Sequence, residues 1–346
     1  MLTDVKTQKI ACVVIKILLK RFETFPINAT KNRNAPFHEA FLKAFQYKFN
    51  DKVSDIPFFI SLSSWLHGLN TTLGQTFFEN VANILSDGEK REYTSKKIGN
   101  IKIHQTQKNN INEIITKLSN SQESPILERE NELIFISDQS ELVNAIDFSA
   151  DVFIEDERNV VAIELKSVKP NSGEMRGEKQ KILEGKAALY KLSPKKHISF
   201  FIGFPFDPMN KSSTGYNKEK FLSSNINMTK FIDPKETLIA SELWDYLSGE
   251  KNTMKLILKI INTISTPKFM EKFKFINNPE NREDPKYIKI LKEWFLFTEV
   301  ELTINTKQIQ NSIRNDIRLQ RVYNQQIFKN NEYNWERAII LLKERI

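Results

Sequence analysis

The chain contains very little cysteine and little glycine, and both shortages exclude classes of site. Its 346 residues include one cysteine, Cys12, and ten glycines. A single cysteine cannot form an intrachain disulfide or a cysteine-based zinc site, so we expect a reducing compartment, the cytoplasm. The glycines form no glycine-rich fingerprint for a dinucleotide, which needs several of them at fixed spacing. Disulfide frameworks, cysteine zinc sites and that type of cofactor site are therefore excluded.

Two other motifs begin but are not completed. The dipeptide at residues 38–39 starts the zinc-protease pattern HExxH, but Leu42 stands where the second histidine belongs. Gly173 and Gly177 precede Lys179, but this spacing does not match a phosphate-binding loop and no Ser or Thr follows the lysine. The four histidines are scattered without metal-ligand spacing. Neither a zinc protease nor a P-loop enzyme is expected.

The N-terminal apolar run is too short to cross a membrane. It covers residues 10–19 and is interrupted by Lys16, whereas a membrane-spanning helix needs about 20 apolar residues. No small-residue cleavage site follows it, so it does not resemble a signal peptide. We expect a buried amphipathic helix in a cytoplasmic protein with no membrane association.

The charge balance is basic. There are 51 Lys and Arg residues against 43 Asp and Glu residues, a formal net charge of +8. An excess of positive charge suits a polyanionic partner, chiefly nucleic acid. The alternative is compositional, because a chain rich in Lys, Asn, Ile and Phe is also expected from an AT-rich genome. Charge alone leaves both explanations open.

Hydrophobic periodicity predicts an α/β fold with a mixed sheet flanked by helices. Helical spacing of apolar residues occurs at residues 5–22, 37–49, 73–86 and 179–192. Strand-like runs occur at residues 133–136, 150–154, 160–168 and 198–204, and residues 86–100 are expected to form a charged surface loop. The order strand, strand, helix, strand, with helices before it, is typical of such a sheet.

Three consecutive regions are expected along the chain. A helical N-terminal region covers residues 1–70, an α/β core covers 71–237, and an α-helical C-terminal region covers 238–346. Residues 277–285, with sequence NNPENREDP, are the clearest candidate for a linker.

The segment ADVFIEDERNVVAIELKS, residues 150–167, predicts a β-hairpin that carries chemistry. If residues 157 and 158 are the centre of the turn, Asp151 lies opposite Glu164, and Cβ atoms in such pairs are about 4.5–5.5 Å apart. Side chains alternate along a strand, so Lys166 shares the face of Glu164. Two carboxylates beside a lysine form a layout for metal-assisted hydrolysis of a phosphodiester.

Two alternatives compete with this interpretation. In the first, the hairpin is amphipathic and its charges simply face water. Against it, Glu164 and Lys166 interrupt a strand that is otherwise apolar, where charge is costly unless it is paired or bound to a metal. In the second, Asp147 takes the role given to Asp151, but Asp147 lies outside the apolar strand and would pair beyond Lys166.

Placed in order, these segments resemble the PD-(D/E)xK nuclease core. A helix with Glu79 in LGQTFFENVANIL precedes the hairpin, and a helix and a strand follow it. The words NRNAPFHEAFL and ELKSVKPNSGEMRGEKQKILEGKAALY resemble type II restriction endonucleases of the TdeIII-like family, over roughly residues 30–235. The residue before Asp151 is Ala150 instead of the proline of the motif's name.

This resemblance implies a Mg²⁺-dependent endonuclease that cuts double-stranded DNA at a site of the GGNCC type, as a homodimer. Asp151 and Glu164 would hold Mg²⁺ with the Leu165 carbonyl, Lys166 would act on the attacking water, and Glu79 would assist them. Because a basic loop that opens a helix can approach phosphates, three residues are candidate DNA contacts: Arg176, Lys179 and Gln180. The alternatives are a repair nuclease or junction resolvase on the same core, and a DNA-binding protein without catalysis.

Overall fold

The computed structural model describes residues 2–26, 42, 56–99, 101–137, 139–166, 174–225 and 227–344. The chain divides into two compact units, each made of two segments. One unit comprises Met1–Leu2 and Phe78–Leu256, and the other comprises Thr3–Phe77 and Ile257–Ile346. The division into three consecutive regions expected from the sequence, 1–70, 71–237 and 238–346, remains a prediction.

The unit that contains residues 78–256 is built around a five-stranded mixed sheet. Its strands are β1 (Glu89–Tyr93), β4 (Phe148–Glu155), β5 (Asn159–Leu165), β6 (His197–Phe204) and β7 (Thr237–Ile239), in that spatial order. The pairs β1/β4 and β4/β5 are antiparallel, and the pairs β5/β6 and β6/β7 are parallel. A separate two-stranded ribbon joins β2 (Lys102–His104) to β3 (Leu142–Asn144).

The helices of this unit surround the sheet. They are α3 (Phe78–Ser86), α4 (Gln105–Ser119), α5 (Leu127–Ile134), α6 (Glu174–Leu192), α7 (Lys218–Ser223), α8 (Met228–Phe231) and α9 (Ser241–Ser248), with a 3₁₀ turn at Pro234–Glu236. The chain leaves β5, forms α6 and returns as β6, since parallel strands need a crossover of this kind. The predicted mixed sheet flanked by helices is confirmed.

The central strand β5 explains why the sheet forms where it does. Its sequence NVVAIEL buries five consecutive residues, Val160 to Glu164. A strand covered on both faces is expected to be an apolar run without alternation. Glu164 is the one charged residue in that buried run, so a buried charge lies near the end of an otherwise apolar strand.

The second unit is helical, as expected for the C-terminal part of the chain. Its helices are α1 (Asp4–Glu23), α2 (Ile56–Thr72), α11 (Phe269–Asn277), α12 (Pro285–Glu293), α13 (Phe297–Ile304), α14 (Thr306–Ser312), α15 (Ile317–Tyr323) and α16 (Trp335–Lys343), with a π-helical turn at Leu73–Phe77 and α10 (Thr253–Ile264) at the boundary. A short ribbon, β8 (Phe328–Lys329) with β9 (Glu332–Tyr333), completes it. The expected linker at residues 277–285 forms a 3₁₀ turn, Pro279–Glu283, inside this unit.

Two predictions of secondary structure were wrong. Residues 133–136 were expected to form a strand, but helix α5 continues to Ile134 and residues 135–136 follow it without strand structure. A four-residue apolar run has no periodicity that separates the two structures. Residues 86–100 were expected to be a loop, but they contain β1. That strand, EKREY, buries only Tyr93, and charged side chains are common on edge strands because they discourage further pairing.

The strand predicted at 160–168 corresponds to β5, which ends at Leu165, and residues 167–168 lie outside the described residues. The strands predicted at 150–154 and 198–204 correspond to β4 and β6, and the helix predicted at 179–192 is α6, which begins earlier, at Glu174. The helix predicted at 37–49 lies outside the described residues, apart from Leu42. None of the described helices combines the length and the apolar composition needed to cross a bilayer.

Candidate active site

The β4–β5 hairpin has the turn that its sequence predicts. The backbone N–H of Asp156 donates to the Asn159 carbonyl at 3.0 Å, which leaves residues 157 and 158 at the centre of the turn. The Asp156 carboxylate accepts hydrogen bonds from the backbone N–H groups of Arg158 and Asn159, both at 2.7 Å. An aspartate that binds its own turn in this way holds the register of the hairpin.

That register brings the two predicted carboxylates together. Val152 pairs with Ile163, so the next position along the ladder sets Asp151 beside Glu164. Asp151 Oδ2 also accepts a hydrogen bond from the Leu165 backbone N–H at 2.9 Å. The carboxylate of β4 is therefore held against the end of β5, next to the backbone of the third residue predicted to bind a metal.

Gly203 on β6 supports this strand end. It pairs with Leu165 in the parallel register, and its carbonyl accepts the Lys166 backbone N–H at 2.9 Å. A Cβ atom at Gly203 would lie 2.8 Å from Leu165 Cδ2, closer than real Cβ contacts. A larger residue at position 203 would therefore require the end of the Leu165 side chain to move.

Helix α3 approaches the same hairpin. The Asn83 side chain donates to the Asp151 carbonyl at 2.9 Å. One turn earlier, Glu79 Oε2 lies 2.8 Å from Lys90 Nζ on β1, and this ammonium group is 3.6 Å from Asp151 Oδ1. The structure thus brings the predicted Glu79 to the site, but it connects Glu79 to Asp151 through a lysine.

Glu164 belongs to a group of four alternating charges, which we call the outer cluster: Glu164, Lys166, Glu178 and Lys181. Lys166 Nζ lies 2.7 Å from Glu164 Oε1 and 3.0 Å from Glu178 Oε1. Lys181 Nζ lies 2.6 Å from Glu164 Oε2 and 3.5 Å from Glu178 Oε2. Glu178 and Lys181 are three residues apart on α6, so they share one face of that helix.

The electrostatic environments of the two carboxylates differ. Burial raises the pKa of Asp151, and the N–H of Leu165 and the charge of Lys90 offset this only in part. Burial acts in the same direction on Glu164, but the charges of Lys166 and Lys181 outweigh it, so the pKa of Glu164 is lowered. Burial opposes the charge of Lys166, yet Glu164 and Glu178 raise the pKa of its ammonium group. Lys166 is therefore a cation at neutral pH.

The oxygen atoms of the site suit a hard divalent cation, although lysine side chains lie among them. Among the described residues, no three His, Cys, Asp or Glu side chains form a ready-made metal cluster. The ammonium groups of Lys90, Lys166 and Lys181 lie against the carboxylates instead. Asn83 Oδ1 and Glu178 Oε2 are buried and accept no hydrogen bond from the described part of the chain. Carboxylate, amide and carbonyl oxygens are the ligands that Mg²⁺ and Ca²⁺ prefer, so the residues fit such an ion.

The three predicted DNA contacts have different environments. Arg176 is exposed near the start of α6. Gln180 is partly buried and donates to Glu184 at 2.9 Å. Lys179 is fully buried, which corrects the expectation for this residue, because a side chain without accessible surface cannot reach a phosphate. The segment before α6, residues 167–173, which was predicted to be a loop, lies outside the described residues.

Lys179 belongs to a second group of charges, the inner cluster: Glu130, Lys179, Lys186 and Glu236. Lys179 Nζ lies 2.5 Å from both Glu130 Oε2 and Glu236 Oε2, and Lys186 Nζ lies 3.5 Å from Glu236 Oε1. None of the four residues is more than 4% exposed. Burial lowers the pKa of Lys186 and raises that of Glu130. This cluster joins α5, α6 and the 3₁₀ turn within the fold.

The remaining residues are Asp147, the alternative to Asp151, and three residues that were not identified from the sequence. Asp147 is exposed and precedes β4, so it does not take the place of Asp151. Sequence reasoning missed Lys90, Glu178 and Lys181. Lys90 lies in a charged segment that was expected to be a loop, and the other two lie in a lysine-rich helix whose faces could not be assigned from sequence.

Two comparisons with known proteins show the family of the chain. The model of the family "Type II restriction endonuclease, HinfI" matches residues 3–265. The chain is also 44% identical, over 360 aligned positions, to the type II restriction enzyme MjaII of Methanocaldococcus jannaschii, with 97% of this chain and 96% of the relative covered. The expected site-specific deoxyribonuclease is thus confirmed at the level of the family. With its hairpin carboxylates and mixed sheet, the chain belongs to the HinfI family of type II restriction endonucleases.

Proposed function

We propose that this restriction endonuclease cuts double-stranded DNA with Mg²⁺ at a PD-(D/E)xK active site formed by Asp151, Glu164 and Lys166. The observation that carries the proposal is the end of the hairpin, where Asp151 lies beside Glu164 and Lys166 Nζ is 2.7 Å from Glu164 Oε1. The order hairpin, α6, β6 is also the order expected of that nuclease core. The TdeIII-like assignment is part of this proposal, beside the HinfI family that the chain matches.

The metal would be held by oxygen atoms at the strand ends. Type II restriction endonucleases generally use divalent metal ions, and we assign Mg²⁺ to the Asp151 and Glu164 carboxylates with the Leu165 carbonyl. When bound, such an ion polarises the scissile phosphate and lowers the pKa of a bound water. The hydrogen bond from the Leu165 N–H to Asp151 Oδ2 keeps one carboxylate oxygen in a fixed direction, so the pair is organised before an ion arrives.

Lys166 acts as a charged group in this scheme. Its ammonium is protonated because two glutamates stabilise the charge, so it can donate hydrogen bonds to the attacking water and to the phosphate. A fixed positive charge where negative charge develops stabilises the transition state. We assign Glu79 a supporting role, in which it shares Lys90 with Asp151 and thereby influences the charge of the site.

The partner is DNA with two-fold symmetry. A site of the GGNCC type reads the same on both strands apart from its central base, and two copies of one chain match such a site, one on each half. We therefore propose a homodimer on DNA. The net charge of +8 suits a polyanion, and the exposed Arg176 and the partly buried Gln180 stay the proposed contacts at the start of α6.

A plasmid digest tests the reaction. With Mg²⁺ the protein should produce discrete fragments whose ends map to one short sequence, and without Mg²⁺ it should produce none. Asp151→Asn and Glu164→Gln should both abolish cleavage, because each removes the charge of a metal ligand with little change in shape. Asp147→Asn is the matched control and should cut normally, since Asp147 is an exposed aspartate near the same strand.

Two outcomes would count against the proposal. If either Asp151→Asn or Glu164→Gln keeps more than a few per cent of activity, the assignment of the metal pair fails. A smear of products in place of discrete fragments would favour a nuclease without sequence preference, such as the repair enzyme considered at the start.

Sedimentation tests the partner and the symmetry. Without Mg²⁺, two protomers should bind one GGNCC duplex, and a scrambled duplex should bind more weakly at moderate salt. Affinity for both should fall steeply as salt rises, because Lys and Arg displace counterions from the phosphates. One protomer per site, or equal affinity for the two duplexes, would exclude the proposed symmetric recognition.

A further inference from the structure

Lys181 contacts an oxygen atom that the proposed metal ion needs. Its Nζ lies 2.6 Å from Glu164 Oε2, while Lys166 occupies the other oxygen of the same carboxylate at 2.7 Å. Both oxygens of Glu164 are thus covered by ammonium groups. A divalent ion at either oxygen would lie close to one of these ammonium groups, and the repulsion between the two cations favours a state in which one lysine has moved away.

The structure indicates which lysine moves. Lys166 follows β5 directly, and its backbone N–H is bonded to Gly203. Its Nζ also donates to Glu178 Oε1 at 3.0 Å. Lys181 comes from a different element, α6, and it already lies 3.5 Å from a second acceptor, Glu178 Oε2. Glu164 Oε2 and Glu178 Oε2 are both buried, and neither accepts a hydrogen bond of regular geometry from the described residues. The ammonium group of Lys181 thus lies between two acceptors and can move from the first to the second.

We propose that Lys181 is a positioning residue that acts as a resident counter-cation: it neutralises Glu164 in the metal-free enzyme and transfers to Glu178 when the metal binds. This inference rests on the proposed metal-dependent function and names two residues that the motif does not contain. Glu164 would have a cation beside it in both states, because the divalent ion replaces the ammonium group that leaves it. Glu178 then serves as the second position for Lys181 and as the acceptor for Lys166.

The test is Mg²⁺ binding to the DNA-free protein, measured by titration calorimetry and by the rise in Tm with Mg²⁺. Lys181→Met removes the competing cation and leaves one more uncompensated negative charge, so Mg²⁺ should bind more tightly. Groups around a metal site change affinity by about 10–100-fold, and we expect a change of that order. General damage to the fold would weaken binding, so the direction of the change separates the proposal from a structural role.

The chain offers a matched control. Lys108 on α4 makes an ion pair of the same length, 2.6 Å, with Glu184 on α6, away from the hairpin. Lys108→Met removes the same charge from the same unit and should leave Mg²⁺ affinity unchanged. In the opposite direction, Glu178→Gln removes the second position for Lys181, so Mg²⁺ should bind more weakly than to the unaltered protein.

Glu164→Gln separates this inference from the function on which it rests. If Glu164→Gln leaves Mg²⁺ affinity unchanged, the metal site itself is wrong and the proposed function fails with it. If Glu164→Gln abolishes Mg²⁺ binding while Lys181→Met leaves it unchanged or weaker, the metal site stands and the counter-cation proposal is overturned. Tighter binding by Lys181→Met, with unchanged binding by Lys108→Met, supports both.

Discussion

The outer and inner clusters lie on the same helix, α6, and each consists of two lysines and two glutamates. In the outer cluster every side chain keeps some exposure, from 11% for Glu164 to 26% for Lys166. In the inner cluster Lys179 and Glu236 are fully buried. Two clusters with the same residue types therefore have different roles. Partly exposed charges can exchange a lysine for a metal or a phosphate, whereas fully buried charges have no other partner available.

The difference in burial is clearest between two lysines that are close in sequence. Lys179 and Lys181 are two residues apart in the same lysine-rich helix, but one lies in the inner cluster and the other in the outer cluster. A buried ion pair is weak evidence for net stability, but removing one partner is costly because a charge is left without compensation. We therefore expect variants of the outer cluster to change metal binding or activity with small effects on stability, and variants of the inner cluster to lose much more stability.

The first prediction concerns Lys166 and has the largest expected effect. Lys166→Ala should lower the cleavage rate by about 10²–10³-fold, the usual cost of removing one group that stabilises charge in the transition state. Single-turnover cleavage under saturating Mg²⁺ measures it. Mg²⁺ binding should persist, since Asp151 and Glu164 remain. Near-normal cleavage by Lys166→Ala over a range of pH would mean that Lys166 is a bystander.

The second prediction concerns Lys179. Lys179→Met should reduce the free energy of unfolding by about 3–5 kcal/mol, the cost of leaving buried charge unpaired, as measured by denaturant unfolding. Adding Glu130→Gln should recover part of the loss, because it removes one of the orphaned charges. Folded Lys179→Met protein should still cut DNA, in contrast to Lys166→Ala.

Lys235→Met is the control for Lys179→Met. Lys235 on the 3₁₀ turn contacts Glu128 on α5 at 2.6 Å, so this pair joins the same two elements as the partners of Lys179. Both side chains are more than half exposed, and exposed pairs contribute little because water and salt screen them. Lys235→Met should leave stability unchanged within error. Similar losses in Lys179→Met and Lys235→Met would contradict the role given to burial.

The three proposed catalytic residues of the hairpin could be predicted from sequence because their geometry is local. Alternation along β5 and a two-residue turn are enough to put Asp151, Glu164 and Lys166 on one side of a hairpin. Both features depend on residues within the segment 150–167. The mixed sheet could be predicted for a similar reason, since β4, β5 and β6 are apolar runs with turn residues around them.

The other half of the site depends on contacts that no local pattern encodes. Lys90 reaches Asp151 from an edge strand whose charges made it resemble a loop. Glu178 and Lys181 reach Glu164 only because α6 crosses back over the sheet in one particular rotation. That rotation also buries Lys179, which the sequence-based interpretation had placed on DNA. Helix rotation is set by packing of the whole unit, so it could not be inferred from the helix alone.

The third prediction has the smallest expected effect and compares Asp151, outside the outer cluster, with Glu164, inside it. The pKa of Asp151 is raised by burial, so the stability linked to its protonation is present at low pH and is lost as pH rises through the folded-state pKa. The pKa of Glu164 is lowered, because the charges of Lys166 and Lys181 outweigh its burial. The stability linked to its ionisation is therefore present above the unfolded-state pKa and is lost as pH falls through the folded-state pKa.

Opposite changes in Tm should therefore follow in metal-free protein at neutral pH. Asp151→Asn should raise Tm because it removes a charge that burial disfavours, and Glu164→Gln should lower Tm because it leaves two lysines without their shared partner. Both differences should shrink on acidification, as each wild-type carboxyl takes up its proton, and Mg²⁺ should raise Tm for the wild type but for neither variant. Thermal unfolding in a chelator at several pH values measures this. If both variants shift Tm in the same direction, the two carboxylates share one environment, and the outer cluster does not compensate Glu164 as its geometry implies.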